Sequence, residues 1–255
     1  MRIALLSDVH ANLPALEAVL AGIDALGIES VYHLGDLVGY APWPNETVRL
    51  IRERAIPGVA GNYDSTVATD HDHCGCKYED EYQAELSHQS FEWTCANTEV
   101  DAKAFLGQLP FRLDIRPAGG HGSGMRVCLV HGTPTLNTVY WTEDRSDSFC
   151  RKMAERARLS AGDLIAFGHT HKPWHRELDG IHFVNTGSVG RPKDGDSRAG
   201  YVVLDLSTDV PVVQFHRVDY DVDRAAEAIT ESTLPDAFAE YLRTGGQALR
   251  APGDA

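Results

Sequence analysis

At 255 residues the chain is long enough for one large α/β domain or two small ones, and its 43% hydrophobic and 24% charged content are ordinary for a soluble globular protein. A formal net charge of -14 argues against duplex nucleic acid and anionic membranes as partners, because polyphosphate surfaces demand basic patches. Small phosphorylated ligands stay open, since bound divalent cations would reverse the sign locally. Five cysteines (Cys74, Cys76, Cys95, Cys128, Cys150) form an odd set without framework spacing. The N-terminus lacks signal-peptide features and no apolar stretch has the length of a membrane span, so the expected compartment is the cytoplasm, with thiols reduced.

In chain order, residues 3–6 form a short apolar run that reads as a buried strand ending at Ser7 and Asp8. Residues 13–26 place Leu13, Leu16, Val19, Leu20 and Ile23 at helical spacing, with Asn12 as N-cap and Gly27 as a stop. A strand over 31–34 ends at Gly35 and Asp36, a helix opened by Pro44 runs over 44–54, and a third strand over 56–60 ends at GNYD. This first quarter predicts a parallel sheet with right-handed crossovers. The polar stretch 66–81 predicts a loop, 82–98 and 101–109 predict helices, and 111–115 and 125–130 predict strands around the glycine-rich stretch 118–124. A helix over 148–158 precedes a strand over 164–167 that delivers GHTH. Runs at 174–178, 181–184, 200–206 and 212–218 predict a largely antiparallel second sheet, followed by helices over 222–229 and 235–242. Residues 1–244 are expected to form a single domain of two stacked sheets, with a helical or loop insertion about 65–110, and 245–255 a fraying tail.

Seven residues in five short motifs carry the chemistry: Asp8 and His10 in SDVHAN, Asp36 in HLGDLVG, Asn62 in GNYD, His131 in LVHGTP, and His169 and His171 in GHTH. Each follows an apolar run, where a parallel strand delivers its last residues to a common edge. Asp, Asn and His cap strands and helices everywhere, but this many at successive strand ends point to a two-metal phosphoesterase site. Carboxylate, imidazole and amide oxygen without thiolate suit borderline-hard divalent ions such as Mn, Fe or Zn. One carboxylate shared by two cations lets them sit roughly 3.5–4 Å apart, close enough to share a water and grip one phosphoryl group.

Taken in order, D-x-H at 8–10, GD at 35–36, GN at 61–62, His131 and GH-x-H at 168–171 resemble the signature of the calcineurin-like metallophosphoesterase superfamily, in its bacterial small-phosphoesterase form. The segment NTGSVG at 185–190 also looks like the family's sheet-end turn. The resemblance implies a four-layer αββα sandwich of two mixed β-sheets flanked by helices. It implies one metal held by Asp8, His10, Asp36 and His171 and a second by Asp36, Asn62, His131 and His169, with Asp36 bridging. Manganese leads as the ion, with Fe, Zn, Ni or Mg as alternatives. Asn12, two residues past His10, is a candidate to donate an amide hydrogen bond to bound phosphate, beside its reading as an N-cap.

One position departs from the pattern. The family carries histidine after the asparagine, which looks like the proton donor to the leaving group, and here that residue is Tyr63. Asp64, which would orient the histidine, is retained. A phenol is a poorer match to general acid–base demands than an imidazole. Three readings stay open: Tyr63 donates in its place, His71 or His73 reaches in from the following loop, or the substrate needs little protonation.

The run HDHCGC at 71–76 resembles a third metal site at first sight, but its spacing fits a tight glycine turn with two reduced thiols better, and Cys95 is a remote alternative partner. Such a turn could shape a lid beside the site. The loop from Arg191 to Asp196 could offer its cations to a substrate or a second subunit, with a solvated loop as the default. His33, His88, His121, His175, His182 and His216 match no motif position, and Trp174 either walls the cleft or packs in the core. The function expected is a dimetal hydrolase of small phosphomonoesters or phosphodiesters, nucleotides among them. A serine/threonine protein phosphatase is the runner-up, and a non-catalytic scaffold the outside alternative. No membrane partner is expected and nothing indicates an oligomer.

Overall fold

The computed structural model describes residues 1–76, 81–117 and 124–247. Nine strands form two sheets: β1 (Arg2–Leu6), β2 (Val31–His33), β3 (Arg112–Ile115), β4 (Val127–Val130), β5 (Leu164–Phe167), β6 (Trp174–Leu178), β7 (Ile181–Asn185), β8 (Ala199–Asp205) and β9 (Val212–Val218). The first sheet has the order β2-β1-β8-β9 and the second β3-β4-β5-β7-β6. Both are mixed. In the first, β1 and β2 run parallel while β8 and β9 are antiparallel to their neighbours; in the second, β4, β5 and β7 run parallel and β3 and β6 are antiparallel edges.

Alternation within the strands creates three apolar layers. Ile3, Leu5, Val202 and Leu204 of the first sheet meet Val127, Leu129, Leu164, Ala166 and Val184 of the second, all essentially inaccessible. The opposite faces of β1 and β8 (Ala4, Leu6, Tyr201, Val203) lie under α1 (Leu13–Ala25), α2 (Pro44–Glu53), α7 (Val222–Glu231) and α8 (Ala237–Arg243). The outer face of the second sheet (Cys128, Val130, Ile165, Phe167, Phe183) packs on α6 (Asp147–Ala157) and on Trp141. The result is the four-layer αββα sandwich that the motifs implied. The remaining helices, α3 (Asn62–Ala68), α4 (Glu81–Asn97) and α5 (Val100–Leu106), lie in the middle of the chain, where Phe91, Ala102 and Leu106 join the first outer layer. Among the described residues no helix is long and apolar enough to cross a membrane.

Three expectations are corrected. The strands at 174–218 do not form one antiparallel sheet: the β6–β7 hairpin extends the second sheet and β8–β9 completes the first. Hairpin pairing is local, whereas the choice of sheet is made by β5 and β1, which accept β7 and β8 respectively. Residues 56–60 make only an isolated parallel bridge, His33 to Gly58, because Pro57 has no amide hydrogen to extend a ladder. The stretch after GNYD is not all loop: α3 starts at Asn62, with Asp64 accepting the otherwise orphaned Gly61 amide at 2.9 Å. The glycine-rich stretch 118–123 and the tail from 248 lie outside the described residues.

Trp141 is fully buried and stacks on Phe167, ring centroids 4.4 Å apart. Trp141→Ala should cost about 3–5 kcal/mol by cavity formation, read as a lower urea midpoint at unchanged slope.

Candidate metal centre

The carboxyl ends of β1, β2, β4 and β5 converge, and six of the seven motif residues sit just beyond them; Asn62 comes from the start of α3. The loops are tied to one another by backbone bonds: Asp8 N donates to Gly35 O (3.0 Å), His10 N to Asp36 O (2.9 Å), Gly168 N to His131 O (2.8 Å) and Gly190 N to Asp8 O (3.0 Å). Asp8, His10, Asp36, His169 and His171 all adopt left-handed backbone conformations, with φ between 49° and 65°. Such conformations cost of order 1–3 kcal/mol each and persist only where the surroundings over-determine them. Close approach explains the adjoining glycines. A Cβ on Gly61 would lie 2.0 Å from Asp36 Oδ1, and one on Gly168 would lie 2.3 Å from Asp8 Oδ2.

Two clusters result, each fully buried: Asp8, His10 and His171, and Asp36, His131 and His169. In the first, His10 Nε2 and His171 Nε2 are 3.2 Å apart, and Asp8 Oδ1 lies 3.2 Å from His171 Nε2 and 3.8 Å from His10 Nε2. In the second, His131 Nε2 lies 3.1 Å from Asn62 Oδ1, 3.2 Å from His169 Nδ1 and 3.3 Å from Asp36 Oδ2. The same Asp36 Oδ2 lies 3.8 Å from His10 Nε2, so one oxygen faces both clusters.

The outer atoms of six of the seven motif side chains are already spoken for; His169 Nε2 is buried without a hydrogen-bond partner. Asp8 Oδ2 accepts from Ser7 Oγ (2.6 Å) and His169 N (3.0 Å), and Asp36 Oδ1 accepts from Tyr63 N (2.9 Å). The Nδ1 atoms of His10, His131 and His171 face the carbonyls of Val38, Leu34 and Arg191 at 3.1, 2.8 and 2.5 Å. A carbonyl can only accept, so these Nδ1 atoms carry hydrogens and the Nε2 atoms point inward, as bare lone pairs in His10 and His171. Asn62 Nδ2 donates to Cys74 O and Cys76 Sγ, each at 3.1 Å, which turns its oxygen to the cluster. Burial, with the repulsion of neighbouring imidazoles added, lowers His10 and His169 to about 3, and burial drives His171 well below its usual value. Burial alone would raise Asp36, but the charge and hydrogen bond of His131 hold its carboxyl below the usual range. Burial likewise pulls His131 down, and Asp36 overrides it to about 9.

The donors therefore fit divalent cations. Asp8 Oδ1 is buried without a hydrogen-bond partner and faces two bare imidazole lone pairs, an arrangement that repels itself unless a positive charge sits among them. Donor separations of 3.1–3.8 Å suit the edges of a polyhedron whose bonds are about 2.0–2.2 Å.

Asp64 accepts the amides of Asp36 (2.8 Å), Leu37 (2.8 Å) and Gly61 (2.9 Å), clamping the GD loop to the GN turn. Burial and the Asp36 charge push its carboxyl up to about 7. Tyr63 is buried, its ring edge-on to His10 at 5.6 Å, and its hydroxyl donates to Ser87 O on α4 at 3.4 Å. Asn12 caps α1 through Ala15 N and gives its amide hydrogens to Gly190 O (2.9 Å) and Tyr220 Oη (3.2 Å). His71 and His73 are exposed and packed on each other, whereas Cys76 lines the cleft. The turn is a glycine turn, with Gly75 at φ +79°, and neither Cys74 nor Cys76 forms a disulfide. Among the described residues neither metal-like cluster includes it.

Tyr140, which no motif singled out, stacks on His169 with centroids 4.5 Å apart. Arg191, expected in a solvated loop, is buried with its guanidinium 3.8 Å from the Tyr40 ring centroid and 4.2 Å from that of Tyr241. Trp174 belongs to the core, against Phe167 and Trp141. His33 is buried, His88 pairs with Glu92, His175 with His182, and His216 stacks on Tyr201. His121 lies outside the described residues.

Residues 1–209 match the model of the calcineurin-like phosphoesterase superfamily domain. The uncharacterized protein MJ0912 of Methanocaldococcus jannaschii is 32% identical over 95% of this chain and 98% of its own. A crystal structure of a metallophosphoesterase from Sphaerobacter thermophilus superposes with a TM-score of 0.74 at 29% identity, covering 96% of this chain and 100% of that one. The hypothetical protein PH1004 from Pyrococcus horikoshii OT3 shares the fold, with a TM-score of 0.80 at 23% identity over 97% and 99% of the two chains. The chain belongs to the calcineurin-like phosphoesterase superfamily and is a metal-dependent phosphoesterase.

Asp36→Asn should lower bound metal from two ions per chain to fewer than one after manganese loading, measured by plasma mass spectrometry. Two ions retained would remove the bridging assignment.

Proposed function

We propose that the protein hydrolyses small phosphorylated molecules, phosphodiesters or phosphomonoesters with nucleotides foremost among them, using two divalent cations. Asp8, His10, Asp36 and His171 would hold one ion; Asp36, Asn62, His131 and His169 the other, manganese being the ion we favour. The observation that carries this reading is the buried meeting of two imidazole lone pairs with the unpartnered Asp8 oxygen. Two such cations lower the pKa of water and neutralise charge developing on the phosphoryl oxygens.

What the chain contributes is position. Asp64 holds Asp36 and the GN turn in register through three amides, and Cys74 and Cys76 aim the Asn62 oxygen. Leu34, Val38 and Arg191 fix the tautomers of three histidines through their carbonyls. Asn12 serves the fold as an N-cap that ties α1 to the 190 loop, and we assign it no phosphate contact. Tyr63 presents a phenol ring where the family pattern given above has an imidazole, so leaving groups that depart without a proton are favoured. A general acid contributes typically about 10²–10⁴-fold, which sets the size of the discrimination.

Turnover should appear on p-nitrophenyl phosphate, bis-p-nitrophenyl phosphate or a cyclic nucleotide when assayed with Mn, Mg, Ni and Zn. No turnover with any of these ions would overturn the reading. Tyr63→His should raise alkyl over aryl phosphate hydrolysis by about tenfold or more. An unchanged ratio would show that the tyrosine does not set leaving-group preference.

A further inference from the structure

The cleft above the two clusters carries a second charged feature that the ligand set does not use. Lys193 lines it together with Cys76, His10, His169 and His171. The side chain is half-buried and makes no ion pair or hydrogen bond among the described residues. Its own loop holds two carboxylates, and both are engaged elsewhere: Asp194 pairs with Arg217, and Asp196 with Arg198 at 2.7 Å. In a chain with a net charge of -14, one cation lines the cleft without a close ion pair among the described residues, and the carboxylate that acts on it, Asp8, belongs to the candidate ligand set.

The neighbourhood makes that placement costly. Arg191 adds a second positive charge beside it, and burial together with that charge pulls Lys193 down to about 7. Loading two dications against the two ligand carboxylates, Asp8 and Asp36, would leave the site strongly positive. An anion that arrives with the substrate would offset this desolvated charge and hold the proton on Lys193. The phosphoryl group under attack would lie over the metal clusters, so Lys193 at the rim is available to the group that leaves.

The loop is held from a distance. Gly195 N donates to Gly245 O at 2.9 Å, and Arg191 is packed against Tyr241 of α8. The loop that carries Lys193 is thus braced by α8 and the turn after it.

We propose that the cleft takes a phosphoanhydride, a substrate whose leaving group is itself a phosphate, with Lys193 as the contact that selects it. This rests on the phosphoesterase reading above. Water oxygen bonds to phosphorus, the bridging P–O bond breaks, and its electron pair leaves on the bridging oxygen of the departing phosphate. The water proton is released to solvent. A phosphate departs as a stable anion, so no protonation by residue 63 is required; the ammonium neutralises the departing charge instead.

The test uses the manganese-loaded full chain with inorganic pyrophosphate and ADP as anhydride probes and bis-p-nitrophenyl phosphate as reference. Lys193→Gln should lower kcat/KM on the anhydrides about 30-fold or more beyond any fall on the reference, and Lys193→Arg should restore most of that ratio. Methylenediphosphonate binding, followed by calorimetry, should weaken in Lys193→Gln by a similar factor. An equal fall on both substrate classes would overturn the proposal, as would unaltered methylenediphosphonate affinity. Should the glutamine variant not fold, wild-type protein must still bind methylenediphosphonate more tightly than phenylphosphonate; equal affinities reject the anhydride. A wild type inactive on every probe would instead fail the phosphoesterase reading itself.

Discussion

The structure depends on one electrostatic constraint: lone pairs of like character are buried against each other and held there. His10 and His171 face nitrogen to nitrogen at 3.2 Å, with a carboxylate oxygen beside them that nothing hydrogen-bonds. No arrangement of hydrogens available to neutral imidazoles satisfies that group, because each ring has already given its hydrogen to a carbonyl. In the second cluster His131 and Asp36 give a partial answer. His131 keeps a proton, held by Asp36, in the space where a cation would sit. Cation binding there releases that proton.

Holding such a group together requires the rest of the fold to resist relaxation. Five ligands sit in left-handed backbone, and an unconstrained loop would leave that region. They stay because the strand ends are anchored in an apolar interface between sheets and because successive loops exchange amide hydrogen bonds. Asp64 shows how the constraint is distributed. It hydrogen-bonds to none of the metal-facing side-chain atoms, yet its two oxygens gather three backbone amides from the turns that carry Asp36 and Asn62. The strained backbone and the self-repelling donors are one design seen twice: both are preorganisation stored by the core.

Much of this was legible in the sequence, for identifiable reasons. Each ligand follows an apolar run, so the delivery of Asp8, Asp36, His131 and His169 to one edge could be read from local pattern alone. The pairing of β6 with β7 was equally local. The assignment of β8–β9 to the first sheet was not, since it depends on a partner, β1, about two hundred residues away in sequence. The strand expected at 56–60 shrank to one bridge because a ladder needs the amide that Pro57 lacks. Arg191 was misread for a related reason. Its charge predicts solvent exposure, and only the arrival of Tyr241 and Phe238 from α8 makes a buried aromatic sandwich for it. Tyr140 gave no signal at all, because stacking on His169 is a tertiary event without a spacing rule.

The match to the superfamily model ends at residue 209, and α7 and α8 follow it. Of these two, α8 reaches the cleft through Arg191, whose carbonyl also holds His171. Within such a layout the loop that carries Arg191 lies inside the superfamily match, and only the aromatic rings packed on it come from beyond residue 209. A change in the last stretch would therefore shift the seat of that loop while leaving the five motif segments themselves untouched.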